Sequence, residues 1–191
     1  RPKIYIIPES MPNAFATGRN PQNAVVAVTT GLLETLNKPE LEGVIAHELS
    51  HIKHYDMLTG TIAASVAGAV MLLSRIGIFF GGSNDNNGGG GAGALFMLIL
   101  APIAAILVQM MISRSMEYSA DSGAAKITGN AEGLISALQK IHSGLKRVRH
   151  TNATPETAHL LIASPFMGGL AGLFSTHPSL EKRIKNLRKA S

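Results

Sequence analysis

Apolar positions in this chain follow two short-range rhythms and form two long blocks. Between Lys38 and Lys53, Leu41, Val44, Ile45, Leu49 and Ile52 recur every three or four residues, the spacing of one face of an α-helix. Asn37 as N-cap, Pro39 in the first turn and Glu40 at the capping-box position define where that helix starts. A second helical stripe, Leu134, Leu138, Ile141 and Leu145, follows Asn130 as cap and is expected to pack on the first helix. A third helix is expected from about Ser179 through Leu187, after Pro178. Near the start, Pro2-Lys3-Ile4-Tyr5-Ile6-Ile7-Pro8 reads as a short strand between prolines. Asn13-Ala14-Phe15-Ala16, the turn-prone Thr17-Gly18-Arg19-Asn20-Pro21 and Ala24-Val25-Val26-Ala27-Val28-Thr29 together read as a β-hairpin, structural or a docking edge for substrate.

The long blocks have a different origin. Met57 to Phe80 is apolar except for small polar residues and Arg75, and Ala92 to Ser113 carries no charge before Arg114 closes it. A helix needs roughly 20 apolar residues to cross a bilayer core, and both blocks reach that length. Between them Gly81 to Gly91 is a Gly/Asn-rich loop with one acid and no base. The expected organisation is a catalytic domain split into 1–56 and 114–191 by a transmembrane helical hairpin at 57–113 with its loop at 81–91. Lys53 and Arg114 flank the base of the hairpin, so the positive-inside rule puts that base on the cytoplasmic side. Arg75 lies near the tip, within snorkelling reach of headgroups.

Composition agrees with a membrane-associated single domain of 191 residues: mean hydropathy is +0.20, with 46% hydrophobic and only 15% charged residues. Cysteine is absent, which excludes a disulfide framework and leaves His, Asp and Glu as metal ligands. The net charge of +5 does not indicate nucleic acid as a partner, because Lys and Arg sit mostly in the last third without interleaved aromatic residues. A start at Arg1 is what a segment of a longer protein would show.

The candidate chemistry lies in the first helix, at His47-Glu48-Leu49-Ser50-His51. Four residues advance a helix by just over one turn, so the two imidazoles project about 40° apart and can hold one ion. Two imidazoles suit Zn²⁺, one per chain, with Glu48 as the base that takes a proton from water. The trio is expected along a half-buried cleft wall. Glu117, just beyond the second apolar block on a helix continuing from it, would complete a two-His, one-Glu ligand set. Asp121, one turn later, is placed to accept a hydrogen bond from the non-ligating nitrogen of a ligand histidine. His142, His150 and His159 have no partner pattern; His54, close to the His47 face but past His51, reads as a solvent or interface residue, and the basic cluster Lys146-Arg147-Arg149 reads as a solvated face or a contact to anionic lipid.

Asn13-Ala14-Phe15-Ala16, the His47–His51 motif, the hydrophobic hairpin, Glu117 to Asp121, and Thr176-His177-Pro178 running into Lys182-Arg183-Ile184 jointly resemble the HtpX heat-shock membrane metalloproteases. These are gluzincins related to the CAAX prenyl endopeptidases. The resemblance implies a zinc endopeptidase of the bacterial inner membrane, multi-pass, with its site facing the cytoplasm. It also implies polypeptide substrates, damaged or misassembled membrane proteins above all, and family members usually carry two further spans ahead of the catalytic region. The expected fold class is α+β: a mostly helical gluzincin-like core with a small β-hairpin or sheet and the inserted hairpin. Asn13, Ala14 and Phe15 are candidate substrate-binding residues, since an edge strand beside a metal cleft can pair with a peptide backbone. His177, presented by a loop end before a helix, is the candidate oxyanion donor, and Arg183 could fill that role or bind substrate. The rival class is a membrane scaffold or chaperone-like protein with a structural metal, which would call for a fourth protein ligand that the motif spacing does not supply.

Overall fold

The structure, a computed structural model, describes residues 2–81, 90–147 and 178–190. The expectations for His150, His159, His177 and positions 82–89 of the loop expected at 81–91 lie outside them, while Gly81, Gly90 and Gly91 at its ends are helical. Strands β1 (Lys3–Ile7), β2 (Ala14–Thr17) and β3 (Val25–Thr29) form a sheet in the order β1-β3-β2. β3 pairs antiparallel with β2, as the hairpin pattern anticipates, and parallel with β1, which makes the sheet mixed. As the central strand, β3 is the most continuously apolar, with Val26, Ala27 and Val28 buried. It runs directly into the short helix α1 (Thr30–Thr35). Thr29 serves both elements: its Oγ1 caps α1 by accepting from the Leu32 N–H (3.2 Å) and accepts from the Asn13 N–H (2.8 Å), fixing the start of β2.

Helix α2 (Lys38–Lys53) begins with the full capping box. Asn37 Oδ1 accepts from the Glu40 N–H and Glu40 Oε2 from the Asn37 N–H. Glu40 is buried and also receives Ser136 Oγ–H (2.6 Å) and Lys140 Nζ (2.8 Å) from helix α5 (Glu132–Arg147), so the start of α2 is tied to its main packing partner. Gly43 faces the Leu134 backbone so closely that a Cβ there would stand 2.6 Å from its nitrogen. The core joins Val26, Val28, Leu32, Val44, Leu134, Leu138 and Ile141 with Leu187 of α6 (Leu180–Ala190).

Helix α3 spans Asp56–Gly81 and α4 Gly90–Thr128, the latter one 39-residue helix that carries the second apolar block and Glu117 to Asp121. The chain forms two compact units, residues 1–58 with 113–191 and residues 59–112. Among the described residues one segment, Asp56–Ile76, is long and apolar enough to cross a membrane, where the sequence pattern anticipates two.

Candidate metal centre

Two helices build the site, and a third closes it. α2 carries His47 and His51 one turn apart, with ring centroids 4.6 Å apart and planes at 87°. On α4, Glu117, Ala120, Asp121 and Ala124 share a face by their spacing, and all four are buried. Gly123 next to that face permits the approach to α2: a Cβ there would stand 2.2 Å from Ser50 Oγ. A larger residue would push Glu117 and Asp121 away from the histidines.

The two Nε2 atoms stand 3.1 Å apart. Glu117 Oε2 lies 3.6 Å from His47 Nε2 and Oε1 3.7 Å from His51 Nε2. Ligands about 2.0–2.1 Å from a tetrahedral ion stand about 3.3 Å from one another, so three such donors fit a single metal ion. The protons agree with this. Asp121 Oδ1 lies 3.1 Å from His47 Nδ1, and a carboxylate only accepts, so Nδ1 carries the hydrogen and the Nε2 lone pair faces the cluster. Two nitrogen lone pairs and a carboxylate converging on one point are the donor set of a cation site.

Arg183 of α6 braces the arrangement, its Nη2 standing 3.4 Å from His47 Nε2. Its Nε donates to Asp121 Oδ2 (2.9 Å), its Nη2 to Asp121 Oδ1 (2.6 Å), and Nη1 lies 3.3 Å from Glu117 Oε2. Burial alone would raise the Asp121 pKa, but Arg183 and the His47 bond hold it below the usual carboxylate range. Burial would likewise lower the Arg183 pKa, and Asp121 and Glu117 keep it above its ordinary value. Burial pushes Glu48 up, with Glu117 adding to the effect and the two histidines and the Ala16 N–H working against it. For His51 burial works downward, and the Asp56 bond with Glu117 and Glu48 outweighs it, raising the pKa.

Some expectations shift in three dimensions. His47 and Glu48 are buried outright rather than half-exposed on a cleft wall, because Glu117 and Asp121 of α4 lie against His47 and β2 packs on α2. Arg183 is only 2% exposed and engages carboxylates of the protein itself, and its Nη2 also stands 3.4 Å from His47 Nε2, so the guanidinium borders the ligand atoms. Ala14 is buried, Phe15 half-buried, and Asn13 is tied through its main chain to Thr29. β2 lies at a sheet edge, and its Ala16 N–H donates to Glu48, which links the strand to the acid. His54 is exposed, 3.3 Å from Ser119 Oγ, and outside the cluster. Asp56, whose Oδ2 lies 2.7 Å from His51 Nδ1, was not singled out by sequence reasoning. The available signal was an acid five residues past His51, directly after a helix end.

The family model for peptidase family M48 matches residues 1–191. A protease HtpX homolog of Thermococcus sibiricus is 54% identical, covering 98% of this chain and 67% of that protein. Homologs described in the same words from Salinibacter ruber (54%, covering 98% and 67%) and a Sulfurovum species (51%, covering 97% and 68%) are similar. The crystal structure of S. mikatae Ste24p superposes with a TM-score of 0.64 at 23% identity, covering 97% of this chain and 44% of that one, so the fold is shared. Matched along its whole length, the chain belongs to peptidase family M48 and is a metalloprotease.

Proposed function

We propose that this chain is the catalytic region of a zinc-dependent, membrane-embedded endopeptidase that cleaves misfolded or damaged membrane proteins from the cytoplasmic side of a bacterial inner membrane. The observation that carries the reading is the convergence of His47, His51 and Glu117 beside a buried Glu48. Two imidazoles and one carboxylate are ligands suited to zinc, and three protein ligands are the complement of a catalytic rather than a structural site.

A metal ion held by these three residues would supply Lewis acidity, acidifying water and polarising the scissile carbonyl. Glu48 takes the proton from the attacking water and passes it to the leaving amine; burial, by raising its affinity for protons, suits it to both transfers. Asp121 keeps the His47 ring oriented through Nδ1, and Arg183 holds Asp121 and Glu117 in register. Strand alternation turns the main chain of Ala14 and Ala16 away from β3; with the Ala16 N–H taken by Glu48, a peptide would add alongside β2 past Asn13, Ala14 and Phe15 through the Ala14 main chain and the Ala16 carbonyl. His177 is proposed as the donor to the developing oxyanion, from its place before Pro178.

Residues 57–113 are proposed as a transmembrane hairpin inserted into the catalytic domain. Support comes from apolar side chains left open to the surroundings on both arms, among them Val66 (58% exposed), Leu73 (66%) and Met111 (71%). The decisive experiment on the site is Glu48→Gln. It should keep stoichiometric metal while kcat on an unfolded protein substrate falls by on the order of 10²-fold or more. Near-normal turnover would end the general-base assignment.

A further inference from the structure

The turn between α2 and α3 holds Tyr55 at φ 57°, the one left-handed residue other than glycine among the described residues. That conformation is unfavourable for a side chain with a Cβ, and here it has a geometric result. α2 closes with the His54 N–H on Ser50 O (3.0 Å) and the Tyr55 N–H on Ile52 O (3.2 Å). The next residue, Asp56, starts α3, and its carboxylate reaches the last turn of α2. Its Oδ2 lies 2.7 Å from His51 Nδ1, and the Asp56 side chain is 12% exposed, so the bond is largely shielded from water.

We propose that Asp56 is a positioning residue of the metal centre, fixing the tautomer and ring orientation of His51, and that the left-handed Tyr55 turn delivers it there. A carboxylate can only accept, so its bond puts the hydrogen on Nδ1 and leaves Nε2 as the free donor atom facing His47 and Glu117. Each ligand histidine then has its own carboxylate: Asp121 from α4 for His47, and Asp56 for His51. The role differs from a purely local one, in which an acid in the first turn of α3 favours the start of that helix. The inference rests on the proposed ligand set.

The test measures zinc affinity of the full chain in detergent by competition with a chromophoric chelator, alongside thermal unfolding of the chelated protein. Asp56→Ala should weaken binding by roughly 10- to 100-fold, as expected when a carboxylate behind a ligand histidine is lost. Asp56→Asn keeps an accepting oxygen and should lose less. Asp56→Ser can still start a helix but is too short to reach His51, so it should unfold near the wild-type temperature and bind zinc as weakly as the alanine variant. Tyr55→Gly relieves the backbone and should retain affinity. Wild-type affinity in both Asp56→Ala and Asp56→Ser, whatever their thermal stability, would overturn the inference. His51→Ala separates this from the underlying reading: tight zinc binding in that variant would mean the ligand set itself is wrong.

Discussion

Replacing Arg183 with methionine tests whether the guanidinium is internal scaffolding or part of the substrate surface. Both it and Asp121 are buried, joined by two charge-assisted bonds of 2.9 and 2.6 Å, with Glu117 3.3 Å away. Methionine fills most of the volume but strands Asp121 as a buried anion. Removing one partner of such a pair costs about 3–5 kcal/mol, mostly as the penalty of the charge left behind. For a chain of this size each kcal/mol moves Tm by roughly 2–4 °C, so a fall of about 6–20 °C is expected. The measurement is thermal unfolding in detergent with a chelator present, so that metal binding does not contribute. Adding Asp121→Asn to Arg183→Met removes the stranded charge and should recover a large part of the loss. Arg183→Lys keeps the charge without the two-pronged geometry and should fall between. A change below about 1 kcal/mol, or strict additivity of Arg183→Met and Asp121→Asn, would refute the reasoning. Unchanged stability with a raised KM in Arg183→Lys would return Arg183 to the substrate side.

Beyond that residue and Glu48→Gln, three outcomes are expected. Burial alone would raise the Glu40 pKa, but its bonds to Lys140, Ser136 and the Asn37 N–H hold it below the usual value, so its stabilisation is full above the unfolded pKa and lost as pH falls through the folded one. The stability gap between wild type and Glu40→Gln should therefore be widest above about pH 5, where a free glutamate is ionised, and shrink steadily as the pH falls below the ordinary carboxylate range, and a gap that is flat with pH in denaturant titrations would contradict this. Gly123→Ala should destabilise by about 1–3 kcal/mol and weaken metal binding together, with Ser50→Gly restoring part of both; a neutral Gly123→Ala would show that α4 does not need its close approach to α2. In membranes the protein should resist carbonate extraction, and a cysteine placed at Asn86 should react with an impermeant reagent from outside the cytoplasm, whereas labelling from the cytoplasmic side alone would reverse the assigned orientation.

What the sequence determined by itself is what depends on near neighbours along the chain. The Asn37/Glu40 capping box, the α2 and α5 stripes and the pairing of His47 with His51 all rest on intervals of three or four residues, which the helix turns into fixed geometry. The Glu117/Asp121 pair was legible for the same reason, and the apolar blocks because length and charge alone mark them. Tertiary structure decided the contacts between residues whose spacing implies nothing. Arg183 reaches Asp121 across 62 positions only because α6 packs back onto the core through Leu187; helical spacing puts that arginine on the Leu180/Leu187 face, apart from its basic neighbours, but does not say which acids it meets there. β1 joins β3 in parallel, a pairing that no turn between them specifies. Asp56 meets His51 through one left-handed backbone angle at Tyr55, a residue type with no preference for it. The burial of His47 and Glu48 likewise arises from the α4 carboxylates lying against His47 and from β2 packing on α2, because a helix's own pattern identifies its faces but not what covers them.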